Sequence, residues 1–537
     1  MEKEIPLNYI IIPQIVSSAT AMIWVGASSH NEADAAIRKV ANVRASVFKL
    51  FYIEAGKFKN EADLLDNPEA GEYVLDDSEW RTWQTRHGLD QRLFGGGENQ
   101  FFHYQRVTLG LTNPANPRRL PLKPRTRYEV RLWVDNLLTV EDDGERFRNA
   151  HAQFTTLPLK LPDEAENNTF KVMLGSCFYK LNDSAGTVGK TFHSLTPEER
   201  PEIKFLCGDQ VYLDNPWWET TLNIISPFLP PERMRTLFFD KYIANWTQLG
   251  KDKDGDLCGF NLLLRDGANY FCSDDHEFWN NAPNWGIVGF ANTLLRGQRS
   301  WWFREAGELY RVFQSLAPWM TFDVPPVSFC IVDTRINRLP GKKQFMEEDD
   351  LDAVGRWIQR LQGPGVLVMG QVLMIEKGYF WDDELPDYTQ QYNKLKEYIK
   401  SSNHSIVYLT GDVHFGRVSI CDLDRKKGTK FVEVVSSPMM VVSDLRGRKK
   451  VGKVEKSPEI FGTPVDCYAI ADGQNHFVTL EFSKTAAGKV KMKVNTHRIL
   501  NPDSKSDVVK GVVIDEKNQA GLECKIPDGE DLSEIIL

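Results

Sequence analysis

Between residues 170 and 416, five short and mostly apolar runs each end in a knot of polar, metal-ligating side chains. They are FKVMLGSC (170–177), IKFLCGDQVY (203–212), NYFCSDDHE (269–277), GVLVMGQVLM (365–374) and SIVYLTGDVHFG (405–416), and VSFCIVDTR (327–335) lies among them. The first two and the last two are nearly unbroken in apolar residues, as strands buried on both faces should be. Between the runs, MEEDDLDAVGRWIQRLQ and YTQQYNKLKEYIKSS carry helical periodicity and charge pairs. That alternation predicts α/β layering. In open α/β sheets, ligands bind outside the carboxyl ends of the strands. The knots therefore aim at one place: Cys177, Asp209 and Tyr212 with Asp214 just beyond, Asp274 to Glu277, Gln371, and Asp412 with His414. Any one knot alone could be a cap or a turn. Their recurrence at successive strand ends points to a site.

The side chains sort by ligand type. Cys177, Tyr212 and His414 offer a thiolate, a phenolate and an imidazole, a set that suits a transition metal, with the phenolate favouring Fe(III). Asp275, Asp412 and the Gln371 amide offer only oxygen, which suits Ca²⁺, Mg²⁺ or Mn²⁺. Asp209 has two carboxylate oxygens and can bridge two ions. One negative charge each from Cys177, Asp209, Tyr212, Asp275 and Asp412 makes five. A trivalent and a divalent ion together carry five positive charges.

The order GSC…GDxVYxD…DDHE…GDVHFG resembles the PhoD-like alkaline phosphatases, a branch of the calcineurin-like metallophosphoesterases. The resemblance covers roughly residues 10–500. It implies a fibronectin-like N-terminal domain followed by a large four-layer αββα metallophosphatase domain. Where the wider superfamily has Asp-x-His and Gly-Asn-His, this chain has Cys177 and Asp275, as is usual for that branch. The resemblance implies Fe(III) on Cys177, Asp209, Tyr212 and His414. It implies a second ion, Ca²⁺ with Mg²⁺, Mn²⁺ or Zn²⁺ as alternatives, on Asp209, Asp275, Asp412 and Gln371. His276 resembles the histidine that contacts substrate phosphate or protonates the leaving oxygen. Arg335 ends another strand and has two readings, a bidentate phosphate clamp or a partner of Asp333 or a neighbouring carboxylate. Asp274 and Glu277 read as supports of the ligands.

The first ~160 residues read differently. ATAMIWVG, VFKLFYIEAG, HYQRVTLGL, RYEVRLWVDN and AHAQFTTLP are short strands separated by Gly, Asn and Pro clusters. They predict a β-sandwich. Tyr128, entering a strand after a Pro-x-Thr turn, resembles the tyrosine corner of fibronectin type III domains. At ~100–200 residues per domain, the 537 residues divide into a sandwich over 1–160, a catalytic α/β domain over 161–500 and a surface tail over 501–537. HFVTLEFSKTAAGKVKMKVNTHRI predicts a β-hairpin turning near Ala486–Lys489.

A formal net charge of −9 argues against a general nucleic-acid surface. No run approaches the ~18 apolar residues of a transmembrane helix. The N-terminus lacks a signal peptide's features, so a cytoplasmic location is expected as the chain stands, and a secreted one if a leader was removed. The 8 cysteines form no CxxC pair and read as reduced thiols.

Several other features carry no function. Ser184–Thr191 nearly spells a P-loop but lacks the first glycine and the direct strand contact; it reads as a loop with Lys190 near the mouth of the site. The basic stretch from Leu445 to Lys453 reads as a solvated loop, and Gly95–Gly97 as a hairpin. Trp217, Trp218, Trp279, Trp285, Trp301 and Trp302 read mostly as core, with a few at the pocket.

The expected function is metal-dependent hydrolysis of phosphate monoesters, diesters or both. In that scheme two ions activate a water for in-line attack on phosphorus, and the substrate is a small-molecule or polymeric phosphate ester. The alternative is a catalytically silent scaffold of the same fold acting through its N-terminal sandwich. No ligand position of the branch carries an inert residue, which weighs against it.

Overall fold

The computed structural model describes residues 3–4, 9–28, 47–58, 64, 67–84, 101–134, 137–138, 151–166, 168–215, 231–285, 296–315, 317–374, 383–441, 452–453, 460–471, 474–499, 507–509 and 535–536. His30, His87, Gly95–Gly97, Trp217, Trp218, Cys524 and most of the basic stretch after Leu445 lie outside them. The chain forms two compact units. The first comprises Met1–Leu159, Ala185–His193 and Leu229–Asn269, and the second Lys160–Ser184, Ser194–Phe228 and Tyr270–Leu537.

The first unit holds β1 (Tyr9–Val16), β2 (Ala21–Ser28), β3 (Phe48–Glu54), β4 (Gly71–Val74), β5 (Arg81–Gln84), β6 (Phe101–Leu109), β7 (Arg127–Val134) and β8 (His151–Thr155). They make two antiparallel sheets, β1-β2-β6-β5 and β8-β7-β3-β4, with the short strand Leu137–Leu138 added to β7. β8 shows the period of two that one buried face requires, with Ala152 and Phe154 inward. At the start of β7 the Tyr128 hydroxyl accepts a hydrogen bond from the backbone N–H of Lys123 at 2.8 Å, and its ring stacks on Phe154. Tyr128→Phe orphans that N–H and is expected to lower stability by about 1 kcal/mol. A denaturation midpoint followed by tryptophan fluorescence measures this, and an unchanged midpoint would show the bond contributes nothing.

The same unit contains α1 (Thr187–His193), α2 (Pro231–Trp246) and α3 (Phe260–Leu264). The P-loop-like segment is therefore partly helix. Lys190 is ion-paired with Asp252 of the same unit, a partner the sequence reading of Lys190 did not foresee.

The second unit holds two sheets. One is built from β9 (Phe170–Gly175), β10 (Ile203–Cys207) and β11 (Ala268–Cys272). The other is built from β12 (Trp319–Val324), β13 (Val327–Val332), β14 (Gly365–Val368), β15 (Ile406–Thr410), β16 (Arg417–Asp424), β17 (Thr429–Val435) and β18 (Asp466–Ala469). The hairpin β19 (His476–Lys484) and β20 (Val490–Arg498), with β21 (Asp507–Val509), completes the first sheet. The orders are β11-β10-β9-β19-β20-β21 and β12-β13-β14-β15-β17-β16-β18. The hairpin closes where the sequence predicts, with Gly488 N–H donating to the Thr485 carbonyl. In the segment after 500, the described pieces Asp507–Val509 and Ile535–Ile536 both pair with β20. Backbone groups on a strand edge offer such pairing to any extended segment.

β10, β14 and β15 are buried at every position. The two sheets meet face to face through Phe329, whose ring lies 6.0–6.1 Å from Phe170, Phe205 and Phe482. On its other face the larger sheet carries α5 (Glu348–Gln359) and α6 (Thr389–Lys400), which follow α4 (Arg296–Phe313) in the chain. Val354, Trp357, Leu395 and Ile399 of these helices pack on Leu367, Ile406, Tyr408 and Phe431. β9 and β10 run parallel, as do β13, β14, β15 and β17. Parallel registers such as Gly175↔Leu206 and Val368↔Leu409 align the carboxyl ends of these strands at one edge of each sheet. The seven described cysteines are buried and form no disulfide among the described residues. Trp279 and Trp302 are core residues packed edge to face, whereas Trp285 is 46% exposed.

Candidate metal centre

Where the strands stop, the backbone turns sharply. Cys177 (φ 58°), Asp209 (58°), Asp412 (70°) and His414 (54°) adopt the left-handed conformation. Each costs a non-glycine residue about 1–2 kcal/mol. Four of the eight such residues described are predicted ligands, so the strain is concentrated at the knots, as it is at functional sites. The turns interlock. The Cys177 N–H donates to the Gly208 carbonyl, and the Phe178 N–H to that of Asp209. A Cβ on Gly208 would lie 2.4 Å from the Asp274 Cβ, and one on Gly411 2.2 Å from Ser176 Oγ. Only glycine lets the knots approach this closely.

Three groups of ligating side chains result among the described residues: Cys177, Asp209 and His414; Asp209, Asp275 and His276; and Asp209, Asp274 and Asp412. In each, one ligand atom per residue lies within 4.8 Å of the others. Asp209 belongs to all three. Its Oδ2 is 3.4 Å from Cys177 Sγ and 3.4 Å from the Tyr212 hydroxyl. The structure thus brings Cys177, Asp209, Tyr212, Asp275, His276, Asp412 and His414 together.

Arg335 and Gln371 have partners of their own. The Arg335 guanidinium is buried and donates through Nε and Nη2 to Asp274 Oδ1 and through Nη1 to the Ala282 carbonyl. Gln371 accepts from Arg338 Nη2 at 2.5 Å and donates to the Asp383 carbonyl at 3.2 Å.

Two carboxylates organise the backbone around the centre. Glu277 accepts from the N–H groups of Asp209, Gln210 and Asp274 at 2.7–2.9 Å. Asp333 accepts from the N–H groups of Ser273 and Arg335 and from the Tyr310 hydroxyl. The string GDxVYxD contains Asp214 without revealing its task. Its Oδ1 lies 2.7 Å from His276 Nδ1, which orients the ring, and its Oδ2 accepts from the Asn280 N–H. The Tyr212 ring stacks on a face of His276, 4.3 Å between centroids. Ser437 Oγ lies 3.2 Å from Cys177 Sγ, and the Asn281 N–H donates to Asp275 Oδ2. No periodicity or motif announces Ser437, Asn281 or Arg338.

The electrostatics of this cluster call for a cation. Burial pushes the Cys177 thiol, the Asp209 carboxyl and the Tyr212 phenol well above their ordinary values, and neighbouring negative groups add to each shift. Asp412 is raised in the same way by burial and then by Asp274, Asp275 and Asp209. Glu277 is pushed up to about 7, chiefly by burial. Asp275 is the exception: burial opposes its charge, but His276 and Arg335 outweigh that and hold it low. Burial also opposes a charged His276, yet Asp214, Asp275 and Asp209 together hold its pKa well above the usual histidine value. A bound cation reverses the penalty on the anions. The donor set, one thiol, one phenol, one imidazole and several carboxylates around a shared Asp209, fits a two-ion centre.

The fold is similar to that of a solved purple acid phosphatase. The purple acid phosphatase PPD1 from yellow lupin (Lupinus luteus) seeds matches 94% of this chain and 74% of its own, with a TM-score of 0.50 at 11% identity. GAP50, the anchor in the inner membrane complex of Plasmodium, matches 63% of this chain and 90% of its own, with a TM-score of 0.32 at 13% identity. The sensor domain of the anti-sigma factor RsgI4 of Pseudobacteroides cellulosolvens matches 29% of this chain and 93% of its own, with a TM-score of 0.14 at 11% identity. No family model and no curated protein matches the sequence. Among the described residues no helix is long and apolar enough to cross a membrane.

Proposed function

We propose that this protein is a metal-dependent phosphoester hydrolase of the PhoD-like alkaline phosphatase type. The observation that carries the reading is the membership of Asp209 in all three ligand clusters, the position a bridging carboxylate needs. Fe(III) is assigned to Cys177, Asp209, Tyr212 and His414. The second ion, Ca²⁺ or otherwise Mg²⁺, Mn²⁺ or Zn²⁺, is assigned to Asp209, Asp275 and Asp412, with Gln371 the weakest member because both ends of its amide are already engaged. When bound, the ions supply Lewis-acid charge at phosphorus and an acidified water.

The chain's own residues do the rest. Asp214 fixes Nδ1 of His276, which leaves Nε2 to give a proton to the departing alkoxide or phenolate. Tyr212 holds the ring by stacking. Glu277 keeps the Asp209 and Asp274 turns in register through their N–H groups. The Asp274 pairing supports the second reading of Arg335, a partner of carboxylate rather than a clamp on phosphate. Phosphate monoesters and diesters are both candidate substrates.

For the N-terminal region, the strand orders and the Tyr128–Lys123 bond support a fibronectin- or Ig-like sandwich over 1–160. The catalytic domain would then span 161–500 in the four-layer αββα arrangement, with 501–537 a C-terminal appendage.

The purified protein is expected to hydrolyse p-nitrophenyl or bis-p-nitrophenyl phosphate and to lose that activity with its metal. It should also absorb visible light through thiolate- or phenolate-to-iron charge transfer. Tyr212→Phe and Cys177→Ser should each shift or abolish the band. A protein with stoichiometric iron whose spectrum ignores both changes contradicts this ligand set. A metal-free, colourless and inactive protein would instead favour the scaffold alternative.

A further inference from the structure

Asp274 has a half-used carboxylate. Its side chain is completely buried. Oδ1 takes both hydrogen bonds from Arg335. Oδ2 is buried and meets no donor at hydrogen-bond distance, although the Glu277 N–H faces the Asp274 side chain across the short helical turn. Burying a carboxylate oxygen with no partner costs several kcal/mol by the usual scales, so an unused one on a residue of a ligand cluster asks for an explanation. One oxygen of Asp274 lies within 4.8 Å of ligand oxygens from both Asp209 and Asp412. The approach is built into the backbone, because only glycine at 208 leaves room for the Asp274 Cβ.

We infer that Asp274 Oδ2 is a direct ligand of the second ion, alongside Asp209 and Asp412, and that Arg335 is its positioning residue. The inference rests on the proposed two-ion centre and adds a ligand to it. Charge supports it. The five anionic ligands already balance a trivalent and a divalent ion, so a sixth free carboxylate would leave the centre negative. Asp274 arrives paired with a buried guanidinium, so it brings an oxygen donor with no net charge. Arg335 also fixes the side chain, since two donors on one oxygen leave the other to face the cluster. A competing account is a water shared between Asp274 Oδ2 and Arg338 Nη1, which is likewise buried and without a partner.

An anomalous-scattering map of the unmodified, metal-loaded protein distinguishes the two. The expected result is a second-ion peak about 2.3–2.6 Å from Asp274 Oδ2, the range for Ca²⁺–oxygen bonds. An ion more than about 3.5 Å away, with a water on Oδ2, overturns the inference. Metal analysis is the second arm. Asp274→Asn should keep one iron per chain and an unchanged visible band while losing most of the second ion. Arg335→Lys should weaken second-ion binding by roughly 10–100-fold, the usual cost of removing a group that orients a ligand, with iron retained. Full occupancy of both ions in folded Asp274→Asn refutes the assignment. An unmodified protein that binds no metal refutes the two-ion centre itself, a separate failure.

Discussion

Asp209→Asn is expected to remove both ions and nearly all hydrolytic activity while leaving the fold intact. The backbone at this residue is held independently of its side chain: the N–H donates to Glu277 and the carbonyl accepts from Phe178. Asparagine is close to isosteric, so the left-handed turn survives and asparagine tolerates that conformation. What changes is charge. Asp209 sits in every ligand cluster, and a neutral amide cannot bridge two cations as a carboxylate does. The loss of turnover should exceed the ~10²–10³-fold typical of deleting one electrostatic donor. Stability should move the other way in metal-free protein. Burial and neighbouring acids push the Asp209 carboxyl upward, so removing it relieves a penalty. The metal-free variant should therefore melt no lower than metal-free wild type, and its midpoint should no longer rise on adding metal. Metal analysis, turnover and melting curves check the three parts separately. A variant that keeps both ions would remove Asp209 from the bridging role.

The strand ends were legible because their chemistry is written locally. A buried strand needs an unbroken apolar run, and a knot such as Gly411-Asp412-Val413-His414 interrupts it visibly. The two helices on the larger sheet were legible from their periodicity for the same reason. What sequence could not supply is the cross-chain pairing of side chains. The partner of Arg335 is Asp274, 61 positions away, and nothing in VDTR chooses between it and Asp333. Asp333 does take part, but through the Arg335 backbone N–H. Gln371 looked like a ligand because an amide at a strand end can be one. Its engagement by Arg338 depends on a loop conformation that no local pattern encodes. Asp214 was visible as a residue and opaque as a role, because the histidine it orients comes from a different strand end. That two short pieces of the segment after 500 pair with β20 was not legible, because pairing to a sheet edge needs only an extended backbone, which polar composition neither announces nor forbids.

His276→Ala is expected to keep both ions and to lower kcat by roughly 10²–10⁴-fold, the range for removing a positioned proton donor. The loss should depend on the leaving group. A p-nitrophenolate departs without a proton and should be the least affected, whereas an alkoxide needs one and should suffer most. The pH profile carries the second signature. The protonated ring is the working form, so activity that depends on it falls as pH rises through the pKa of His276. Burial works against that charge; of the acids that raise the pKa, Asp214 stands first and is the one not assigned to an ion. Asp214→Asn removes the foremost of those raising charges and the fixed Nδ1 partner together. The basic limb of kcat for an alkyl phosphate should then move to lower pH, with both ions retained. Equal losses across leaving groups in His276→Ala would make the ring a phosphate contact rather than an acid. Loss of the second ion in that variant would make it a ligand, as its place beside Asp209 and Asp275 permits.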